Sequence, residues 1–303
     1  MLVLVTSWQP WTLLVQPLNT FDGLTWIMAL LAPPGPRMGP SFVGECHTTS
    51  QDPGLIRIRT TFCSHPARAC VQHLATTSSK KKLAVTFSFS SEIELGLPAP
   101  NVTCINQDAL LVSGYVSTQP LGMGYAFLIR AYSTSPAAQI NCTQLLVAPG
   151  SPSNATLQVA STSDAWVAWV GDTEYDMDAG TPEKGYSFRG IDPVTKVLGL
   201  SPPQAFADYP ALLNQHTRDI ADTLTSPFSL DLGQAPDFDS PTNVLKAKYT
   251  IDGPKSNAYL DWLLFNYGRY LLVSSARGVL PANLQGKWAD GLANAWGAGN
   301  LFL

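Results

Sequence analysis

The stretch Tyr259–Arg277, YLDWLLFNYGRYLLVSSAR, and the loop after it, GVLPANLQGKWADGLANAWGA over 278–298, decide how this chain is read. Asp252-Gly-Pro254 breaks the backbone just upstream, and Ser256 or Asn257 then stands where a helix takes its side-chain cap. The spacing predicts a helix over about 258–277. Leu260, Leu263, Leu264, Tyr267 and Leu271 fall on one side of it, with Trp262, Phe265 and Tyr270 spread round the remainder. A helix that is apolar all round is built to lie inside something larger. The loop is polar and punctuated by glycine, and it gathers Asn283, Gln285, Trp288, Asp290 and Trp296 into one short run.

Upstream of that helix the pattern is also helical. Ser201-Pro-Pro-Gln204 breaks the chain, Pro210 sits where a first helical turn tolerates proline, and Leu212, Leu213, His216, Ile220 and Leu224 recur at helical spacing until Pro227. Before residue 170 the period is two. LIRIRTTF, KLAVTFSFS, ALLVSGYV, GYAFLIRAY and TLQVAS alternate apolar with polar or small residues between Pro, Gly and Asn clusters, the pattern of antiparallel strands in a sandwich. Trp166–Val170, WVAWV, is a more continuous apolar run, as a central strand would be.

Composition bounds the rest. The chain has 303 residues, 45% of them hydrophobic, enough for one large or two ordinary domains with real cores. Charged residues make up only 13%, against about 25% in typical soluble proteins. The net charge of −4 gives no electrostatic reason to expect a nucleic-acid partner. The single basic run, Lys80–Lys82, reads as a solvated turn. Leu24–Ala32 is shorter than the roughly 20 apolar residues a bilayer span needs, so no transmembrane helix and no membrane partner are expected.

Asn101-Val-Thr103, Asn141-Cys-Thr143 and Asn154-Ala-Thr156 are acceptor triplets for N-linked glycans if the chain enters the secretory pathway. Low charge with many Ser, Thr, Pro and Asn residues suits a secreted glycoprotein, and a secreted, extracellular location is expected. Five cysteines, Cys46, Cys63, Cys70, Cys104 and Cys142, leave at least one thiol unpaired within the chain. Cys104 with Cys142 and Cys63 with Cys70 are candidate pairs, and the connectivity stays open. Residues 1–36 contain no Lys or Arg, so the positive start of a signal peptide is missing, and Pro10 and Pro17 interrupt the apolar run. Residues 1–40 are read as a gene-prediction artefact standing in for the true signal and first strands, a reading that amino-terminal sequencing of secreted material would overturn if it began inside them.

Three separated segments resemble one family. Leu263–Ala298, Thr61–Leu74 (TFCSHPARACVQHL), and the stretch from Tyr209 through His216 and Asp219 to Ser229–Gly233 (SLDLG) are similar to glycoside hydrolase family 95, the α-L-fucosidases, fungal members in particular, and in the family's order. The resemblance covers roughly residues 57–298. With the patterns above it gives an α+β multidomain expectation: an uncertain amino-terminal segment over 1–40, an antiparallel β-sandwich over 41–200, a helical linker over 201–255, and over 256–303, as the resemblance implies, the first helix and loop of a truncated (α/α)6 barrel. It implies a glycosidase that removes terminal α-L-fucose from glycans with inversion, with a fucosylated glycan as substrate.

Such hydrolysis needs an acid for the leaving oxygen and a base for water, about 6.5–9.5 Å apart in inverting enzymes. The family uses a Glu as acid and an Asp with two neighbouring Asn residues to prepare the water. The Asn pair follows the tryptophan-glycine step that Trp296 and Gly297 match, but here that place holds Gly299, Asn300 and the terminal Leu-Phe-Leu, so the pattern departs and no catalytic residue is assigned. All five Glu residues (Glu45, Glu92, Glu94, Glu174 and Glu183) precede residue 184, and the barrel segment has only Asp261 and Asp290. Asp261 is placed to complement the helix dipole. Asp290 is either a site residue or a turn-forming Asp before Gly291.

Trp288 and Trp296 either stack on a sugar, with Asn283 and Gln285 bonding its hydroxyls, or pack beneath the loop as core. Cys63-Ser-His65 and Cys70-Val-Gln-His73 raise zinc, but Pro66–Ala69 leaves little room to wrap a tetrahedron, so no metal is expected. No nucleophile elbow, phosphate loop or dinucleotide fingerprint is present, so no cofactor is expected, nor a specific protein partner. The expected chain is thus a fucosidase-like amino-terminal piece, inactive alone. The competing reading is a non-catalytic carbohydrate-associated β-domain protein or truncated gene product.

Overall fold

Among the described residues period-two sequence becomes twelve strands in two sheets. The computed structural model describes residues 3–8, 11–13, 44–52, 55–78, 81–90, 98–235, 237, 240–249 and 257–278. The chain divides into two units, residues 1–16 with 49–212 and residues 17–48 with 213–303. The strands are β1 (Val3–Trp8), β2 (Trp11–Leu13), β3 (Cys46–Asp52), β4 (Leu55–Ser64), β5 (Ala69–Thr76), β6 (Ala84–Ser90), β7 (Asn101–Asn106), β8 (Ala109–Tyr115), β9 (Gly124–Tyr132), β10 (Gln139–Leu145), β11 (Asn154–Ala160) and β12 (Asp164–Thr173). One sheet runs β10-β11-β6-β1-β2 and the other β3-β4-β5-β12-β9-β8-β7. Within the segment read as standing in for native strands, Val3–Ser7 pairs antiparallel with Thr86–Ser90 of β6.

The two sheets share one core. Phe87, Leu157 and Val159 of the five-stranded sheet meet Leu74, Leu110, Val112, Ile129 and Val167 of the seven-stranded sheet, all buried. Each such side chain withdrawn from water stabilises the fold by about 1.5–3 kcal/mol. The expected antiparallel sandwich is what forms. The disulfide Cys104–Cys142 joins β7 of one sheet to β10 of the other, and Cys63–Cys70 closes the turn between β4 and β5. Both candidate pairings are therefore made, and Cys46 remains the free thiol.

The unbroken WVAWV run has a structural reason. β12 lies between β5 and β9, and while Ala165 and Val167 enter the sandwich core, Trp166, Ala168 and Val170 are buried on the sheet's other side. That second side is covered by residues of the same unit. Trp166 Nε1 donates to the Phe206 carbonyl (2.8 Å), and Tyr132 stacks on Trp166 with ring centres 5.8 Å apart. Tyr209 stacks on His73 at 4.3 Å. Arg130, 2% exposed, donates Nη1 to Asp108 Oδ2 (2.7 Å) and Nη2 to the Ser201 carbonyl (3.3 Å), the pairing that a buried guanidinium requires. α1 (Pro193–Leu200) begins at Asp192, whose carboxylate accepts from the Thr195 amide at 2.9 Å, and it buries Val197.

α2 (Tyr209–Ile220) runs on as a π-helical turn over Ala221–Thr225. In the second unit α3 (Thr242–Lys248) and α4 (Ala258–Ser275) follow. Ile220, Leu224, Leu245, Tyr259, Leu260, Trp262 and Leu263 form its core. The observed phase of α4 corrects the reading from spacing. Tyr259, Leu260, Trp262, Leu263 and Asn266 are buried, but Leu264, Phe265, Leu271 and Leu272 are exposed. An all-round apolar helix carries no phase of its own, and the side that packs on Ile220, Leu224 and Leu245 is fixed by those neighbours. Among the described residues no helix is long and apolar enough to cross a membrane.

Candidate functional site

The loop residues Asn283, Gln285, Trp288, Asp290 and Trp296 lie outside the described residues. The helix that leads to them is described, and its anchoring can be built residue by residue. Asn257 caps α4 as its sequence position suggests, its Oδ1 accepting from the Leu260 amide at 3.1 Å. Asn266, buried in mid-helix, donates Nδ2 to the Trp262 carbonyl (2.9 Å) and accepts from Arg269 Nη1 (3.0 Å). Arg269 then reaches the carbonyls of Leu224 and Phe228, and its guanidinium lies 5.1 Å from the centre of the Phe228 ring. It thereby satisfies a carbonyl at the end of the π-helical turn and adds a cation–π contact.

The other end of α4 is held by charge. Arg277, just past the C-cap Ala276, donates Nη1 to Asp219 Oδ2 at 2.5 Å and Nη2 to Asp219 Oδ1 at 2.6 Å. This forked geometry is the strong form of an arginine–carboxylate pair. The hydrogen bonds to Asp219 raise the Arg277 pKa above its ordinary value. The pair fixes where the chain leaves α4, immediately before the loop that carries the expected site residues.

His216 is structural. It is 1% exposed, and its Nε2 stands 3.1 Å from the Gly44 carbonyl; a carbonyl only accepts, so Nε2 carries the proton. Gly44 has φ +65°, and a Cβ added there would meet His216 Nε2 at 3.0 Å. Both backbone conformation and space therefore call for glycine.

Several of the described carboxylates are engaged in holding the fold. Asp108 pairs with Arg130, Asp164 with His73 (2.8 Å), Asp172 with Lys196 (3.5 Å), Glu174 with Arg189, and Asp219 with Arg277. Asp176 and Asp192 cap short helical segments. Asp261 sits in the first turn of α4. The sulfurs of Cys63 and Cys70 are bonded to each other and so are not metal ligands. Among the described residues no group of three or more His, Cys, Asp or Glu side chains is placed to hold a metal ion. Asn101, Asn141 and Asn154 are all exposed.

Residues 208–300, from the start of α2 through α4 and the loop, match the glycosyl hydrolase family 95 catalytic domain. Residues 44–178, most of the sandwich, match the glycosyl hydrolase family 65 N-terminal domain. The chain is 34% identical over 251 residues to the "Probable alpha-fucosidase A" of Aspergillus niger, covering 78% of this chain and 28% of that protein. It is 30% identical over 253 residues to the "Probable alpha-fucosidase A" of Aspergillus oryzae, covering 82% of this chain and 33% of that protein. The family 95-like chain thus spans about a third of the length of the curated relatives it matches. Local sequence offered no signal for the Asp219–Arg277 pair, whose members lie 58 residues apart.

Proposed function

We propose that this family 95-like chain serves the release of terminal α-L-fucose from glycans with inversion. In this reading it supplies the sandwich and the entry to the sugar pocket, without the acid and base. The observation that carries it is the family 95 catalytic-domain match over residues 208–300, which contains α4, its anchoring pair and the loop. Asn283, Gln285, Trp288, Asp290 and Trp296 are assigned to substrate contact, the tryptophans against the apolar face of the sugar and the amides on its hydroxyls. The helical segment from residue 256 is read as the beginning of a helical barrel.

The 303 residues alone are expected to be inactive. Among the described carboxylates Asp108, Asp164, Asp172, Glu174 and Asp219 are committed to arginine, lysine or histidine, and Asp176 and Asp192 to helix caps. The test is fucose release from a nitrophenyl α-L-fucoside and a fucosylated oligosaccharide by the purified chain, read beside tryptophan fluorescence with fucose. Fluorescence change without release is expected. Turnover overturns the inactive reading, and no response of any tryptophan overturns the substrate-contact assignment. A non-catalytic, carbohydrate-associated role of the β-domain is the second reading, favoured by the independent match of residues 44–178.

A secreted location belongs to the same proposal. It is supported by the two disulfides, which persist in oxidising compartments.

A further inference from the structure

The outer face of the β10–β11 ladder carries a pattern that fucose chemistry does not use. In β10 Ile140 and Cys142 pack toward the core, so Asn141, Thr143 and Leu145 face away from it and are exposed. In β11 Ala155, Leu157 and Val159 are fully buried, which leaves Asn154, Thr156 and Gln158 on the opposite side. A triplet Asn-x-Thr on a strand puts its amide and its hydroxyl on one face, because side chains alternate with period two. Here two such triplets lie side by side. Thr143 pairs directly with Thr156, Asn141 with Gln158 and Asn154 with Leu145. Asn141 Nδ2 already reaches Thr143 Oγ1 at 2.9 Å. The two asparagines are four positions apart along the ladder, about 13 Å at roughly 3.3 Å per residue, room for two separate sugar chains.

Beside this face lies surface that benefits from cover. β10 is an edge strand of its sheet, with one row of backbone groups open to pairing by another chain. It ends in Leu145, Leu146 and Val147, all exposed, Leu146 completely so. Asn101 lies on β7 of the other sheet, its Oδ1 engaged by the Ser153 amide at 3.1 Å and hydroxyl at 3.2 Å.

We propose that Asn141 and Asn154 both carry N-linked glycans, and that this paired decoration shields the β10 edge and the Leu145–Val147 patch from self-association. In the modification, Nδ2 of each asparagine bonds to the anomeric carbon of an oligosaccharide carried on a lipid pyrophosphate. The carbon–oxygen bond to the pyrophosphate breaks, the lipid pyrophosphate leaves, and the amide gives up one proton. The inference rests on the secreted reading.

The test is expression of the full chain behind an added secretion leader in a eukaryotic host, as wild type, Asn141→Gln, Asn154→Gln and the double variant. Occupancy is read by endoglycosidase shift and peptide mass. Each single variant is expected to lose one glycan and the double variant two, and the double variant is expected to scatter more light than wild type at equal concentration. Thr143→Ala with Thr156→Ala removes the same acceptors by another route. Enzymatic trimming of the folded wild-type glycoprotein removes the cover without any substitution. Because the leader is supplied, unmodified Asn141 or Asn154 overturns the glycan face whatever the native location of the chain. Full occupancy, with trimming that leaves scattering unchanged, overturns the shielding role.

Discussion

Arg277 grips both carboxylate oxygens of Asp219, at 2.5 and 2.6 Å, and so ties the exit of α4 to α2 across 58 residues of sequence. Asp219→Asn keeps the shape and removes the charge. It is expected to destabilise the helical unit by about 1.5–3 kcal/mol, the range for hydrogen bonds to charged groups. Denaturant unfolding followed by helical circular dichroism measures it. Arg277→Lys in the otherwise native chain is expected to retain only part of the pair's contribution, since an ammonium cannot make the forked contact.

Tyr132 gives the sandwich an alkaline limit. Burial pushes its hydroxyl up to about 12 from an ordinary value of 10.0. The folded chain therefore keeps this proton between pH 10 and 12 while the unfolded chain releases it, so stability is intact below pH 10 and falls as pH rises toward 12. Two pH units correspond to about 2–3 kcal/mol. Tyr132→Phe is expected to flatten the decline in denaturant midpoint across that window, and an unchanged slope would refute the assignment.

The two disulfides differ in the chain they close. Cys104–Cys142 spans 38 residues and Cys63–Cys70 spans 7. Loop-closure entropy assigns about 4 kcal/mol to the first and about 2.5 kcal/mol to the second. Paired Cys→Ser variants compared by thermal melting are expected to rank in that order. An equal or reversed ranking would show that native-state effects outweigh the entropy of the unfolded chain.

Cys46 is the slow thiol. Desolvation raises its pKa from 9.0 to about 12, so little thiolate exists at pH 8 in the folded chain. Alkylation by iodoacetamide is expected to be at least tenfold slower before unfolding than after it.

Leu264, Phe265, Leu271 and Leu272 form an exposed apolar stripe on α4. The chain is expected to bind a hydrophobic dye through it. Leu264→Glu with Leu271→Glu, two turns apart on the same side, is expected to cut dye fluorescence severalfold, while β-sheet circular dichroism stays the same.

Much of the β-half was legible because burial on one face enforces alternation. β8, β9 and β11 announce themselves that way. β7 and β10 do not, since each is an edge strand with only two inward apolar positions, Val102 and Cys104, or Ile140 and Cys142. A cap at Ser256 or Asn257 was readable from the breaker before them, with Asn257 the one that caps, whereas the phase of α4 was not, because every side of that helix is apolar. The anchoring pair was invisible for a different reason. Asp219 and Arg277 meet only through tertiary packing, and no local spacing encodes a partner 58 positions away.

The covered second side of β12 sets a lower bound on where the sandwich can be cut. The family 65-type match stops at residue 178, yet Arg130 needs the Ser201 carbonyl, Trp166 needs the Phe206 carbonyl, and His73 stacks on Tyr209. A domain excised at residue 178 would leave an indole donor and a guanidinium facing solvent across an apolar sheet. One ending at residue 212 would keep its own lid, making that later boundary the one at which the buried indole and guanidinium stay paired.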